Sequence, residues 1–91
     1  MAITRSGTQR VTVPARTQNI SSAGVLFTAE LDPYLGRLIE YEITLSQQGV
    51  QPVSLRCIGK VLRSERLPIG IEVAAFRVAA TLERYEFVRD N

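Results

Sequence analysis

The side chains with the clearest capacity for specific chemistry form one short run, Asn19-Ile20-Ser21-Ser22-Ala23-Gly24. Asn and Ser side chains hydrogen-bond to nearby backbone groups, and Gly accepts the positive φ that many tight turns need. The run therefore predicts a polar turn, with Gly24 at positive φ. Its amide and hydroxyl groups could also hydrogen-bond to a ligand.

Groups that catalyse reactions are scarce in this sequence of 91 residues, which has no His and a single Cys, Cys57. Without His, the chain lacks the usual general base and the commonest metal ligand. A lone Cys with no His to activate it is expected to be a small buried hydrophobic residue. There is also no Gly-rich phosphate loop and no cluster of metal ligands. We therefore expect no enzymatic activity, no metal and no cofactor.

The overall charge and hydropathy also exclude several classes of protein. Eleven basic and nine acidic residues give a net charge of +2, which is too small to favour nonspecific nucleic-acid binding. No apolar run approaches the ~20 residues of a membrane span, and residues 1–10 do not resemble a signal peptide. A single Cys suits a reducing compartment. We expect a cytoplasmic protein that does not enter the membrane.

Alternating apolar and polar residues, separated by turn residues, predict β-strands along most of the chain. The clearest are 39–45 and the long segment 53–61. Gly59 lies in the middle of the latter and indicates a bend, a bulge or a close backbone approach. Polar loops are expected at 46–52 and 64–68.

The C-terminal part of the sequence is less regular. A strand is expected to begin at 69–76, whereas 76–88 fits either a strand or a helix; its alternation favours the strand. Tyr85 and Phe87 are expected to pack on the rest of the domain. About six short strands indicate one all-β domain covering 1–91, either a small antiparallel barrel or a sandwich.

Three segments, in this order, resemble the PilZ domain family. Asn19 to Phe27 is similar to its Asp/Asn-x-Ser-x-x-Gly motif, which leads into an apolar strand. Residues 53–65 resemble its long strand with a central Gly, and 82–87 resemble the end of many bacterial members. The resemblance extends over nearly the whole chain from Asn19. It implies a six-stranded antiparallel β-barrel that acts as a receptor for the bacterial second messenger cyclic di-GMP.

The resemblance also implies which residues hold the ligand. Asn19 and Ser21 would reach the N1–H and N2–H₂ edge of guanine, and Gly24 would let the backbone approach closely. The second element of the family site is an Arg-x-x-x-Arg arm. Its guanidinium groups suit the O6 and N7 acceptors of guanine and the two phosphates.

This arm has no counterpart at the family spacing, because Arg5 and Arg10 are five residues apart and not four. Only eight residues separate Arg10 from Asn19, too few for the strand pair that binding members place there. We therefore expect Arg5 and Arg10 in the first strands, with a ligand contact as the alternative. Arg16, just before the turn, is a third candidate for the ligand.

Two other functions stay open at this point. A PilZ-like domain that binds no nucleotide would act through protein–protein contacts. A small nucleic-acid-binding barrel would use Arg56, Lys60 and Arg63, but these do not share one strand face and no aromatic residues alternate with them. We expect a protein partner, and cyclic di-GMP as the candidate ligand, in preference to nucleic acid.

Overall fold

The computed structural model describes residues 1–31, 34–47, 49–68 and 75–88. These residues form seven β-strands and no helix: β1 (Ala2–Ser6), β2 (Gln9–Ile20), β3 (Gly24–Ala29), β4 (Leu38–Gln47), β5 (Val50–Arg66), β6 (Phe76–Thr81) and β7 (Arg84–Val88). The all-β prediction is confirmed, as is the choice of strand for 76–88. The described strands number seven and not six. Most of the strand expected at 69–76 lies outside the described residues.

The strands pair antiparallel in the order β4-β1-β2-β3-β6-β5-β7, and β4 also pairs with β5, so the sheet closes into a ring. Two long strands take part in both sides of the ring. The first half of β2 pairs with β1 and its second half with β3. Similarly, β5 pairs with β4 and β7 through its first part and with β6 through its second.

We call the side formed by β2, β1, β4, β5 and β7 sheet A, and the side formed by β2, β3, β6 and β5 sheet B. The core lies between them, where alternate side chains of both sheets point inward. Among the described residues, the buried hydrophobic side chains are Ile3, Val25, Phe27, Ala29, Ile39, Tyr41, Ile43, Cys57, Val61, Val78 and Ala80. Burial of this apolar surface is the main force that holds the two sheets together.

The glycine in the middle of β5 marks a close backbone approach, one of the three expected explanations. A Cβ atom at Gly59 would overlap the carbonyl oxygen of Thr81, the last residue of β6. The irregularity in the β5–β6 register lies slightly further along, between Val61 and Arg63. Gly59 therefore permits contact between two backbones and is not itself the irregular residue.

Both polar loops were predicted too long. Gln47 pairs with Val50, and Gly49 lies between them at φ 82°, so most of 46–52 belongs to β4 and β5. Likewise, Ser64 to Arg66 pair with β6, and strand β5 ends at Arg66. The residues at these strand ends are mostly polar, so they have no hydrophobic alternation that would predict a strand. Pairing with the neighbouring strand keeps them extended.

Candidate functional site

The run from Asn19 to Gly24 forms the connection between β2 and β3. The Ser21 backbone N–H donates to the Gly24 carbonyl at 2.9 Å, and the Ser21 hydroxyl accepts from the Ala23 N–H at 3.2 Å. These two bonds confirm the polar turn. They also give Ser21 a structural task, although its own O–H proton is not used in either bond.

Gly24 does not have the positive φ that the sequence predicted, so that expectation is wrong. Among the described residues, positive φ occurs only at Gly7, Gly36 and Gly49. Gly24 is instead the first residue of β3, where a Cβ atom would lie 2.5 Å from the Ala80 carbonyl oxygen. The absence of a side chain here serves the packing of β3 against β6.

Asn19 lies near the end of β2, opposite Leu26 and exposed to solvent. Because the next residue of β3, Phe27, points into the core, Leu26 and Asn19 lie on the outer face of sheet B. The register shifts at Gln18, which is the extra residue of an irregularity in β2. No described residue hydrogen-bonds to the Asn19 side chain, so its amide is available to a ligand.

Arg16 lies on the same outer face of sheet B. It pairs with Thr28, and Thr28 in turn pairs with Arg77 of β6. A cavity of about 430 Å³ on this face, which we call the sheet B cavity, is lined by Arg16, Gln18, Thr28, Leu67, Pro68, Ala75 and Arg77. Its volume falls within the range of small-molecule sites.

The charged side chains that line the sheet B cavity are positive. Its described wall contains two arginines and no carboxylate. Two acids lie close by: Glu65 is paired with Arg77 at 3.8 Å, and Glu30 lines an adjoining cavity together with Arg16 and Thr28. On the adjacent row of the same face, Asn19 pairs with Leu26, and the row continues to Arg63 of β5.

Arg5 and Arg10 lie in the first two strands, as the sequence predicted, and face each other in the β1–β2 hairpin. Together with Glu40, Glu42 and Arg56, they line a cavity of about 440 Å³ on the outer face of sheet A. The Arg5 Nε–H donates to the Glu40 carboxylate at 3.0 Å. The three arginines and two carboxylates of this wall partly offset each other, whereas the described wall of the sheet B cavity contains no carboxylate.

The six residues predicted to contact a ligand therefore do not form one site. Arg5 and Arg10 belong to sheet A, whereas Arg16, Asn19 and the turn belong to sheet B. The stretch of β2 from Arg10 to Asn19 is about 30 Å long, at the rise per residue of an extended strand. One small ligand does not span that length.

The three basic residues considered for nucleic-acid binding, Arg56, Lys60 and Arg63, are divided between the two sheets. Arg56 lies on the part of β5 that belongs to sheet A, where it pairs with Glu86 at 3.1 Å. Arg63 lies on the part that belongs to sheet B. These basic residues therefore form no continuous track along β5.

Among the described residues, Tyr41 and Cys57 are the buried groups that could titrate. The Tyr41 hydroxyl donates to the Thr81 carbonyl at 3.0 Å; burial, together with the neighbouring Cys57, raises the pKa of Tyr41. Burial likewise raises the pKa of Cys57, which disfavours the reactive thiolate. Both residues pair across β4 and β5 inside the core, where their role is packing.

Tyr85 and Phe87 were expected to pack on the domain, and this prediction is wrong. Their side chains are 61% and 64% exposed, and their rings meet edge to face at 6.3 Å. The reason is that, among the described strands, β7 pairs with β5 alone and extends beyond sheet B. The sequence signal for this surface was two large aromatics in a short final strand, but the pattern could not show that no described strand covers them.

Comparison with known proteins does not add an assignment: no family model, no curated protein and no solved structure was found to match this chain. The resemblance to the PilZ family therefore stays a prediction from the sequence. In the described part of the chain, no group of three or more His, Cys, Asp or Glu residues could hold a metal ion. No helix there is long and apolar enough to cross a membrane.

Proposed function

We propose that this chain is a PilZ-type β-barrel module that works in the cytoplasm, catalyses no reaction and binds cyclic di-GMP on the outer face of sheet B. The observation that supports this proposal is the sheet B cavity, where Arg16 and Arg77 line a space of about 430 Å³ without a carboxylate in the described wall. Asn19 lies further along β2 than Arg16, and the turn follows the end of β2.

The chemistry of the ligand suits these groups. Cyclic di-GMP carries two phosphates, and a guanidinium can bind a phosphate through two parallel N–H···O bonds. Arg16 and Arg77 supply two such groups from neighbouring positions on the outer face. The Asn19 carbonyl oxygen can accept from the guanine N1–H and N2–H₂ edge, and the free O–H of Ser21 can donate to a guanine acceptor.

The turn is also connected to the part of the molecule that a bound ligand would influence. The Leu82 N–H donates to the Ala23 carbonyl at 3.0 Å, which joins the turn to the segment between β6 and β7. We propose that a ligand bound beside the turn acts through this bond on the start of β7. This gives a receptor a direct way to change a protein-contact surface.

The test is a calorimetric titration of the protein with cyclic di-GMP. The native protein is expected to bind, and Arg16→Ala is expected to weaken binding by about tenfold to a hundredfold, because it removes a charge-assisted hydrogen bond. Arg10→Ala is the matched control: it removes an exposed arginine from the same strand, but from the sheet A side. Its affinity is expected to equal that of the native protein.

Each other outcome has a definite meaning. The absence of heat with the native protein would overturn the proposal. Loss of binding in Arg10→Ala with normal binding in Arg16→Ala would move the site to sheet A and reject the assignment to sheet B. Asn19→Ala is expected to weaken binding as well, and an unchanged affinity would remove Asn19 from the site.

A second function, contact with a protein partner, is favoured by one separate observation. Tyr85 and Phe87 form an exposed aromatic pair on a strand that pairs on one side only, among the described strands. Exposed aromatic residues of this kind are enriched in protein–protein interfaces. This function does not depend on nucleotide binding.

A further inference from the structure

Strand β7 presents an open edge. It pairs with residues 54–58 of β5 on one side, and no described strand pairs with its other side. In an antiparallel ladder, alternate residues direct their N–H and C=O groups to each side of the strand. The outer edge of β7 is therefore a row of backbone groups that can accept another strand.

One face of β7 is apolar and continues the inner surface of sheet A. Tyr85 pairs with Cys57, and Phe87 pairs with Leu55. Directly opposed residues share a face, so both aromatic rings point to the side on which the core lies. They remain exposed because no described strand of sheet B extends over them, and the nearby Val53 is 38% exposed on the same face. This surface is an uncovered extension of the core.

The other face of β7 carries two opposite charges, Arg84 and Glu86, on either side of Tyr85 in the sequence. Glu86 accepts a hydrogen bond from Arg56 at 3.1 Å, and both side chains are half exposed or more. No described residue forms an ion pair with Arg84. The strand thus offers one unpaired cation and one partly solvated carboxylate, two residues apart.

We propose that this edge pairs antiparallel with β7 of a second copy of the same chain, around a two-fold axis at Tyr85. In this register, Tyr85 lies opposite Tyr85 of the second copy. Arg84 of each chain lies opposite Glu86 of the other chain, which gives two opposite-charge pairs. Phe87 of each chain is then diagonal to Tyr85 of the other, within the reach of aromatic side chains. The proposal deepens the protein-contact function given above by naming the partner.

The occupant is a second copy because the edge is complementary to itself. A two-fold interface requires that one patch match its own rotated image. The order Arg84-Tyr85-Glu86 meets this condition. When a second copy of this strand runs antiparallel to the first, each Arg84 faces a Glu86 and the two Tyr85 rings face each other. The alternative register centred on Glu86 would place two carboxylates directly opposite each other, which is unfavourable.

The test measures the molar mass of the whole chain by sedimentation equilibrium over a range of concentrations. The native protein is expected to form dimers. Arg84→Glu and Glu86→Arg each place like charges opposite each other in the dimer, so each is expected to weaken dimerisation at least tenfold. An equimolar mixture of the two variants restores both opposite-charge pairs and is expected to dimerise like the native protein.

Glu65→Arg is the matched control, because it makes the same charge change at an exposed glutamate that also has an arginine neighbour, 3.8 Å away. It lies on the sheet B part of β5 and is expected to leave dimerisation unchanged. Circular dichroism of each variant checks that the strands are retained. The proposal is overturned if the native protein stays monomeric, or if the mixture of two folded variants fails to recover the dimer.

The same variants separate this proposal from nucleotide binding. Folded Arg84→Glu is expected to retain binding of cyclic di-GMP in a calorimetric titration, because its substitution lies outside the sheet B cavity. Binding without any dimer would overturn the self-association alone. A dimer that responds to the charge variants but produces no heat with cyclic di-GMP would overturn the nucleotide proposal alone.

Discussion

Strands β6 and β7 follow each other directly and both pair with β5, yet their side chains have opposite environments. In β6, Val78 is fully buried and Ala80 is 2% exposed; in β7, Tyr85 and Phe87 are more than 60% exposed. The larger hydrophobic side chains are therefore the ones in contact with water. Burial follows from the neighbouring strands and not from the hydrophobicity of the residue.

The difference begins at Thr81. Strand β3 ends its pairing with β6 there, because Gly24 is its first residue and lies opposite Thr81. Beyond this point no described strand of sheet B lies over the chain, and β5 is the one described strand that continues alongside it. Strand β6 is consequently an interior strand of the ring, whereas β7 is an appended edge strand.

Several short contacts hold the junction between the two strands. The Thr81 carbonyl accepts from the buried Tyr41 hydroxyl, and the Thr81 hydroxyl accepts from the Lys60 N–H at 2.8 Å. The Thr81 carbonyl also lies against Gly59. Changes at this junction are the strongest way to break the contrast between β6 and β7.

The largest effect is expected for Gly59→Ala. The new methyl group would overlap the Thr81 carbonyl, so β5 and β6 must separate at the junction. We expect the free energy of unfolding to fall by about 3 kcal/mol or more, at the upper end of overpacking effects. Urea denaturation followed by circular dichroism measures this loss.

Gly36→Ala is the control for this substitution. Gly36 has φ 77°, and no neighbouring atom lies within 4 Å of the position that a Cβ atom would take, so only backbone strain opposes the change. We expect a cost of about 1 kcal/mol. Equal losses in the two variants would show that contact with Thr81 does not matter.

The second-largest effect on the free energy of unfolding is expected from a pair of substitutions, one in β6 and one in β7. Val78→Ala leaves a cavity in the core and is expected to cost about 2 kcal/mol. Phe87→Ala removes far more apolar surface, but from an exposed position, and is expected to change the free energy of unfolding by no more than about 0.5 kcal/mol. Urea denaturation of dilute protein, below the range of any dimer, measures both.

The two unfolding free energies test whether β6 side chains are buried and β7 side chains are exposed. If Phe87→Ala costs as much as Val78→Ala in dilute protein, the ring is covered within one chain and β7 is not an exposed edge. If its effect appears only at high protein concentration, the ring is covered by association. That second result would sharpen the contrast and support pairing through β7.

Much of the fold could be predicted from local patterns. Alternation identified β4 and most of β5, and it selected a strand over a helix for 76–88. The polar turn after β2 followed from residue types that hydrogen-bond to their own backbone. The close approach at Gly59 was one of the three explanations that a glycine within a strand indicated, beside a bend and a bulge.

Other features depended on contacts that no local pattern contains. The inward direction of Tyr85 and Phe87 could be read from alternation, but the absence of a covering strand depends on where β3 begins. Gly24 has the residue type of a turn glycine, yet it is the carbonyl of Ala80 that requires it to lack a side chain. The assignment of Arg10 and Arg16 to different sheets follows from β2 pairing with two partners.

The smallest expected effect concerns the Tyr41 hydroxyl, which anchors the end of β6. Tyr41→Phe removes its bond to Thr81 and is expected to cost about 1 kcal/mol at neutral pH. It should also change the dependence of stability on pH. Burial, with a smaller contribution from Cys57, raises the pKa of Tyr41 above its ordinary value of 10.0, so above that pH the unfolded chain loses a proton that the folded protein keeps.

The native protein is therefore fully stabilised by this group below pH 10 and loses stability as the pH rises further, by up to about 1.4 kcal/mol per pH unit. Cys57 acts in the same direction from its ordinary pKa of 9.0 upward. Urea denaturation between pH 7 and pH 11 is expected to show a shallower loss for Tyr41→Phe than for the native protein. Equal slopes for Tyr41→Phe and the native protein would show that the folded core does not hold the Tyr41 proton above pH 10.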